Sequence, residues 1–293
     1  MSAQLLARYR FENDLKDDVS GLFGSMASGE AQFTESNINS SQYGYLVPSG
    51  TGFGATTKRV VSAEPITLGS SLTLSFWLDG LPVPLLQTTT VMTPIFIYDE
   101  ILGDIFSIRI TANPFTGMEV EIYAFTGESD AFHFYSESLW DAFERIGYEN
   151  TPVFAWFEEH PILWVVKVDN NIPTLTLTRN GLTTEVTLFI YDEFAEYTGQ
   201  LNDVSGDLNI IYETSGSEFY IDDLRIYNGI VSEEQLLDIY SGETSEPTPP
   251  EELPVAPPKY GTILRSFIYE TTSEAPIKSV LLPGVLRNTI IRN

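Results

Sequence analysis

The sequence predicts an all-β fold, a sandwich of two antiparallel sheets with two short helices and an extended C-terminal arm. Three observations carry this. Short runs rich in β-branched and aromatic residues recur along the 293 residues, as strands on a half-buried pleated surface require. Turn signals separate these runs at regular intervals. Helical spacing occurs in only two short segments, so the crossover helix that parallel strands need is missing between most runs.

Leu5–Phe11 (LLARYRF) alternates and reads as the first strand. The polar segment 12–21 (ENDLKDDVSG) turns the chain. Phe33, Tyr43, Tyr45 and Val47 mark short stretches before a Gly/Ser/Thr loop, Ser49–Thr57. Leu72–Leu78 (LTLSFWL) is a strand with Leu72, Leu74, Phe76 and Leu78 on one face and Thr73, Ser75, Trp77 and Asp79 on the other. Pro82 and Pro84 end it. Pro94–Tyr98, Ile105–Ile110 and Met118–Phe125 are three further strands, with turns at Leu102–Asp104 and Asn113–Gly117.

Residues 126–160 read as an aromatic-rich insertion. Within it Ser138–Ile146 has a candidate cap in Ser138, apolar Leu139, Phe143 and Ile146 on one side, and Gly147 as a stop, so a short helix is predicted. Ile162–Val168 and Leu175–Arg179 follow as strands. Asn180-Gly181 is the strongest hairpin signal in the chain. Glu185–Tyr191 and Leu208–Tyr212 lead to the closing unit, Phe219–Tyr240.

That unit begins as a strand, FYIDDLRIY. Ser232 is then placed to cap a helix, and Gln235 three residues on completes a capping box. Val231 and Leu236 suit a hydrophobic staple. Leu236, Leu237 and Tyr240 recur at helical spacing before Gly242. Asp222 shares strand parity with Leu224 and Ile226, so it is expected to face the core, where an unpartnered carboxylate is costly. Asp223 and Arg225 are expected to pair on the opposite face.

Composition narrows the function. The chain has 41 acidic and 15 basic residues, net charge −26, and no cysteine. No basic face can be assembled for nucleic-acid phosphates. Thiolate chemistry and disulfides are excluded. No run approaches a membrane span. Residues 1–11 lack the apolar core of a leader and read directly as a strand, so synthesis in a cytoplasm as a soluble chain is expected.

Three regions follow: a sandwich over 1–242, a linker over 243–259 with six prolines and four glutamates, and an arm over 260–293. The arm is apolar, and from Pro276 onward it carries Lys278, Arg287 and Arg292 and no acid. A segment this short cannot build its own core. It is expected to dock onto its own sandwich, a sister subunit or another protein through Phe267, Ile268, Leu281, Leu282, Leu286 and Ile290.

YIDDLRIYNGIVSEEQLLDIY resembles the closing signature of the laminin-G-like, concanavalin A-like jelly rolls. There an Ile-Asp-Asp/Glu-hydrophobic-Arg-Ile-Tyr strand runs into a Ser-x-Glu-Gln/Glu-Ile helix. LLARYRFENDLKDDVSG is similar to that family's first strand and Asn/Asp-rich turn. LTLSFWL resembles its central strand, and ILWVVKVDNNIPTLTLTRNGL its strand–turn–hairpin. The matches run in order over residues 5–241. The resemblance implies first and last strands side by side. It also suggests oxygen ligands for calcium near them, for which Asn13, Asp14, Asp17, Asp18 and Asp222 are the candidates, led by Asp222, Asn13 and Asp17.

The fold hosts many functions. Lack of a leader and of cysteine, strong acidity and an apolar arm together resemble a bacteriophage structural protein, so a non-enzymatic virion component (capsid decoration, head fibre or tail-associated) is the leading expectation. Its partners would be other virion proteins, and the virion its final location. The alternative is a lectin-like carbohydrate-binding module, with calcium as its candidate cofactor. Trp140, Tyr148, Trp156 and Phe157 are the candidates for a glycan or protein interface, because aromatic residues dominate such surfaces.

Catalytic patterns are weak. Glu119 and Glu121 share one strand face and read as an exposed solubilising pair rather than a glycosidase couple. His133 and His160 have no triad spacing. The repeated FIYDE at Phe96–Glu100 and Phe189–Glu193 reads as a strand ending in an acidic turn; the sharper alternative is a cation site of Asp99, Glu100, Asp192 and Glu193.

Overall fold

A computed structural model describes residues 3–27, 30–36, 42–47, 59–79, 89–113, 117–125, 130–147, 161–191, 199, 201, 204–214, 219–240, 277–282 and 286–292. The chain divides into two units, Met1–Ser245 and Glu246–Asn293.

The first unit is a sandwich of two antiparallel sheets. Its early strands are β1 (Gln4–Tyr9), β2 (Ser25–Met26), β3 (Phe33–Glu35), β4 (Tyr43–Val47), β5 (Val60–Val61), β6 (Ile66–Leu68) and β7 (Ser71–Asp79). Next come β8 (Thr90–Asp99), β9 (Gly103–Asn113), β10 (Gly117–Phe125), β11 (Asp130–Ser136) and helix α1 (Leu139–Arg145). The remainder is β12 (Ile162–Asp169), β13 (Ile172–Arg179), β14 (Leu182–Val186), β15 (Leu188–Ile190), β16 (Val204–Thr214), β17 (Phe219–Asn228) and helix α2 (Glu233–Tyr240).

The first sheet runs β14-β13-β12-β7-β17-β4-β3, with β1 also paired to β17. The second runs β15-β11-β10-β9-β8-β16-β5-β2, with β6 on β16. First and last strands of the sandwich are therefore neighbours, and Leu5 lies opposite Tyr227. The second unit contains a hairpin of β18 (Ile277–Leu282) and β19 (Leu286–Arg292).

The alternation read from the sequence sets the core. Leu72, Leu74, Phe76 and Leu78 of β7 pack inward with Trp164, Val166 and Val168 of β12 and Ile95, Ile108, Ile110, Val120 and Ile122 of the facing sheet. A second cluster lies on the outer side of the first sheet. There Trp77, Leu163, Val165 and Tyr227 are covered by Val231 and by Ile239 of α2. Burial of Ile239 alone contributes roughly 2 kcal/mol. The capping box forms: Gln235 N–H donates to Ser232 Oγ at 3.3 Å, and Ser232 N–H to Gln235 Oε1 at 3.0 Å. Ser138 makes no side-chain cap bond at α1. Asn180 and Gly181 both take positive φ, 49° and 74°, as a two-residue hairpin turn requires.

Two expectations change. The segment 130–136, read as part of an insertion, is strand β11, hydrogen-bonded between β10 and β15. Asp222 does not face the core. A bulge interrupts β17, since Asp222 pairs with Trp77 but Arg225 with Ser75. One extra residue shifts the alternation, with Asp223 at φ 39°. Directly paired residues share a face, so Asp222 lies on the outer side with Trp77, while Ile221 and Leu224 both point inward.

Candidate functional site

The two outer faces differ. That of the first sheet carries α2. That of the second presents aromatic and charged side chains. Val120, Ile122 and Ala124 of β10 point into the core, so Glu121 and Tyr123 point out. Register then builds two rows across the strands. One runs Phe189–Tyr135–Glu121–Arg109 over β15, β11, β10 and β9. The other runs His133–Tyr123–Ser107–Phe96–Asn209 over β11, β10, β9, β8 and β16. Tyr191, just past β15, extends it, since its N–H donates to the His133 carbonyl at 2.9 Å.

The rings organise each other. Tyr191 stacks on His133, centroids 4.2 Å apart and planes 9° apart. Tyr123 meets His133 edge-on at 5.2 Å. Tyr135 contacts Phe189 at 5.5 Å and Tyr191 at 6.3 Å. At the far side Phe96 stacks on Tyr212 at 4.0 Å, and the Arg59 guanidinium lies 5.5 Å over the Tyr212 ring. Tyr191 is 61% exposed and Phe189 45%. Such geometry is preferred for aromatic pairs.

A polar set crosses the rings. His133 Nε2 donates to Glu121 Oε1, and Arg109 Nη1 lies 3.8 Å from Glu121 Oε2. The hydrogen bond from His133 lowers the Glu121 pKa; burial opposes this, and the charges of His133 and Arg109 add to it. Glu121 is held ionised, as a fixed acceptor. A general acid needs the opposite shift.

The residues singled out from the sequence are placed as follows. Trp140 packs half-buried against the core, 6.0 Å from Phe143. Tyr148, Trp156 and Phe157 lie outside the described residues, as do His160, Asp192, Glu193, Phe267 and Ile268. Leu281 and Leu282 are in β18, Leu286 and Ile290 in β19. Asp99 closes its turn, accepting from Ile101 and Leu102 N–H, both at 2.8 Å.

Of the calcium candidates, Asp17 accepts from the N–H groups of Arg8, Val19 and Ser20 at 2.8, 3.0 and 3.1 Å. Asp14 accepts from Lys16 N–H at 3.0 Å, and Asp18 from Arg10 Nε at 2.5 Å. Asn13 takes φ 64° in the turn, its N–H on the Phe11 carbonyl at 2.7 Å. Asp222 accepts from Ser36 Oγ at 2.6 Å and from Asp223 N–H at 2.7 Å. Among the described residues no group of three His, Asp or Glu side chains is arranged to hold a metal ion.

The loop after the first strand is thus tied by Asp17. Asp223 ties the first strand to the last. Its carboxylate takes Arg8 Nε at 2.8 Å and Arg225 Nη2 at 2.6 Å. Burial opposes its charge, but the hydrogen bonds and charges of Arg225 and then Arg8 win, and its pKa is lowered.

The outer-face rows were missed as a unit. Their signal was the alternation of Glu119–Phe125 and Asp130–Tyr135, which fixes faces but not neighbours.

No family model matches this sequence, and no curated protein matches it. Solved structures are similar. Domain 4 of AbnA, an extracellular GH43 arabinanase from Geobacillus stearothermophilus in complex with arabinotriose, shares 14% identity over 82% of this chain and 99% of its own, with TM-score 0.47. The botulinum neurotoxin serotype C1 binding domain shares 14% over 83% of this chain and 52% of its own, with TM-score 0.49. The type G receptor-binding domain shares 11% over 82% and 51%, with TM-score 0.47. The chain spans about half the length of the toxin domains.

Proposed function

We propose that the sandwich is a non-catalytic carbohydrate-binding module and that the outer face of its second sheet is the glycan site. One observation supports this above all: partly exposed rings and a fixed Glu121–His133–Arg109 set occupy one sheet face in register. Sugars present apolar C–H faces and polar hydroxyl edges. Rings complement the first, and a held acceptor beside two donors complements the second.

A glycan array tests the reading. Tyr135→Ala should lose the signal and Trp140→Ala should keep it. No signal anywhere on the array with the wild type rejects it. Binding through these side chains does not require a cation, so a chelator should leave the signal unchanged.

The virion reading addresses where the module is carried, and the arm supports it. A two-stranded hairpin such as β18–β19 is marginal in water without a packing partner. In this proposal residues 260–293 anchor the chain to neighbouring virion subunits. Truncation after Gly242 should then abolish incorporation into particles; full occupancy of the truncated protein rejects anchoring.

A further inference from the structure

We infer that the ligand is the interior of an extended, neutral polysaccharide chain lying across the strands, rather than a terminal sugar or a polyanion. This rests on the glycan reading above and specifies its substrate class.

The first argument is length. The row from Tyr191, just past β15, through His133, Tyr123, Ser107 and Phe96 to Asn209 has six positions, five of them on strands. Five strand spacings make about 24 Å, several times the width of one sugar ring. Tyr212 continues the row by stacking on Phe96. Phe96 and Asn209 are themselves buried, 5% and 4% exposed, so at this end the half-buried Tyr212 is the ring that reaches the surface. Partly exposed rings thus occur at both ends, with Ser107 between them. A site for one terminal sugar would concentrate its groups in one place.

The second argument is charge. Glu121 sits in the middle of the face and is held ionised by His133. Hydroxyl groups can donate to it. A uronate or sulfate beside it would be repelled, and the net charge of −26 adds a long-range barrier to any polyanion.

The third argument is rigidity. Every row position except Tyr191 lies on a hydrogen-bonded strand, so the groups are spaced before the ligand arrives. A regular polymer can then match several of them at once.

The test uses the full chain. Immobilised β-glucan, xylan and mannan are compared with a polyuronate, and the best neutral binder is then offered as a series from monosaccharide to hexasaccharide by calorimetry. Affinity should rise at least tenfold between disaccharide and hexasaccharide. Tyr191→Ala and Tyr212→Ala, at opposite ends, should each raise the hexasaccharide Kd about tenfold and leave the disaccharide Kd within about twofold, the pattern expected when each end adds its own contact. Thermal unfolding of both variants confirms that they fold; if Tyr212→Ala does not, Arg59→Ala replaces it. A monosaccharide that binds as tightly as the hexasaccharide overturns the extended chain and leaves the glycan reading standing. Preference for the polyuronate overturns neutrality. Absence of binding to all probes overturns both readings.

Discussion

The guanidinium of Arg8 on β1 and the carboxylate of Asp223 on β17 form a 2.8 Å ion pair across the strands that join the two ends of the sandwich. Asp223 is 2% exposed, and Arg225, its second partner, is 3% exposed. Removing the carboxylate leaves the buried guanidinium with the exposed Asp238 and with Tyr227. Asp223→Asn should cost about 3 kcal/mol, the scale for breaking a buried pair. Arg8 is partly exposed, so Arg8→Met should cost about 1 kcal/mol or less. Urea denaturation of the two variants checks the order.

The same carboxylate sets a pH dependence. Its folded pKa lies below the ordinary value of 3.8. As pH falls, the unfolded chain takes up the proton first. The stabilisation is therefore complete above the unfolded value and is lost as pH falls through the depressed folded one. The stability gap between wild type and Asp223→Asn should be constant near neutrality and shrink below about pH 4. Denaturation series of both proteins across this range measure it, and the relief of net-charge repulsion cancels in the difference.

Two serines at helix starts should behave differently. Ser232 caps α2, so Ser232→Ala should cost about 1 kcal/mol. Ser138 makes no cap bond at α1, and Ser138→Ala should fall within about 0.5 kcal/mol of wild type. Thermal unfolding of both variants tests this.

Gly206 on β16 leaves no room for a side chain. A Cβ there would meet the Tyr98 carbonyl oxygen and Ile105 Cδ1 at 2.7 Å. The carbonyl belongs to the paired strand β8 and cannot move without opening the sheet. Gly206→Ala should cost about 2 kcal/mol through overpacking, read as a lowered urea midpoint.

Trp140 separates packing from binding. It is half-buried against the core and Phe143. Trp140→Ala should cost about 2 kcal/mol, below the range for a fully buried aromatic, and leave glycan binding unchanged. Lost binding with unchanged stability would return Trp140 to the interface role read from its sequence.

The sequence by itself determined the all-β class, the inward faces of β7 and β12, the Asn180-Gly181 hairpin and the capped α2. Each of these depends on residues a few positions apart, where alternation, turn chemistry and capping act directly. The tertiary structure decided the rest. In β17 one inserted residue turned Asp222 away from the core and gave the cross-strand tie to Asp223; parity cannot reveal a bulge. Strand β11 looked like inserted sequence because its partners, β10 and β15, lie on both sides of it in the chain. Tyr191, His133, Tyr123 and Phe96 come from four separate segments. Register alone brings them into one row, and register is set by long-range pairing that no local pattern encodes.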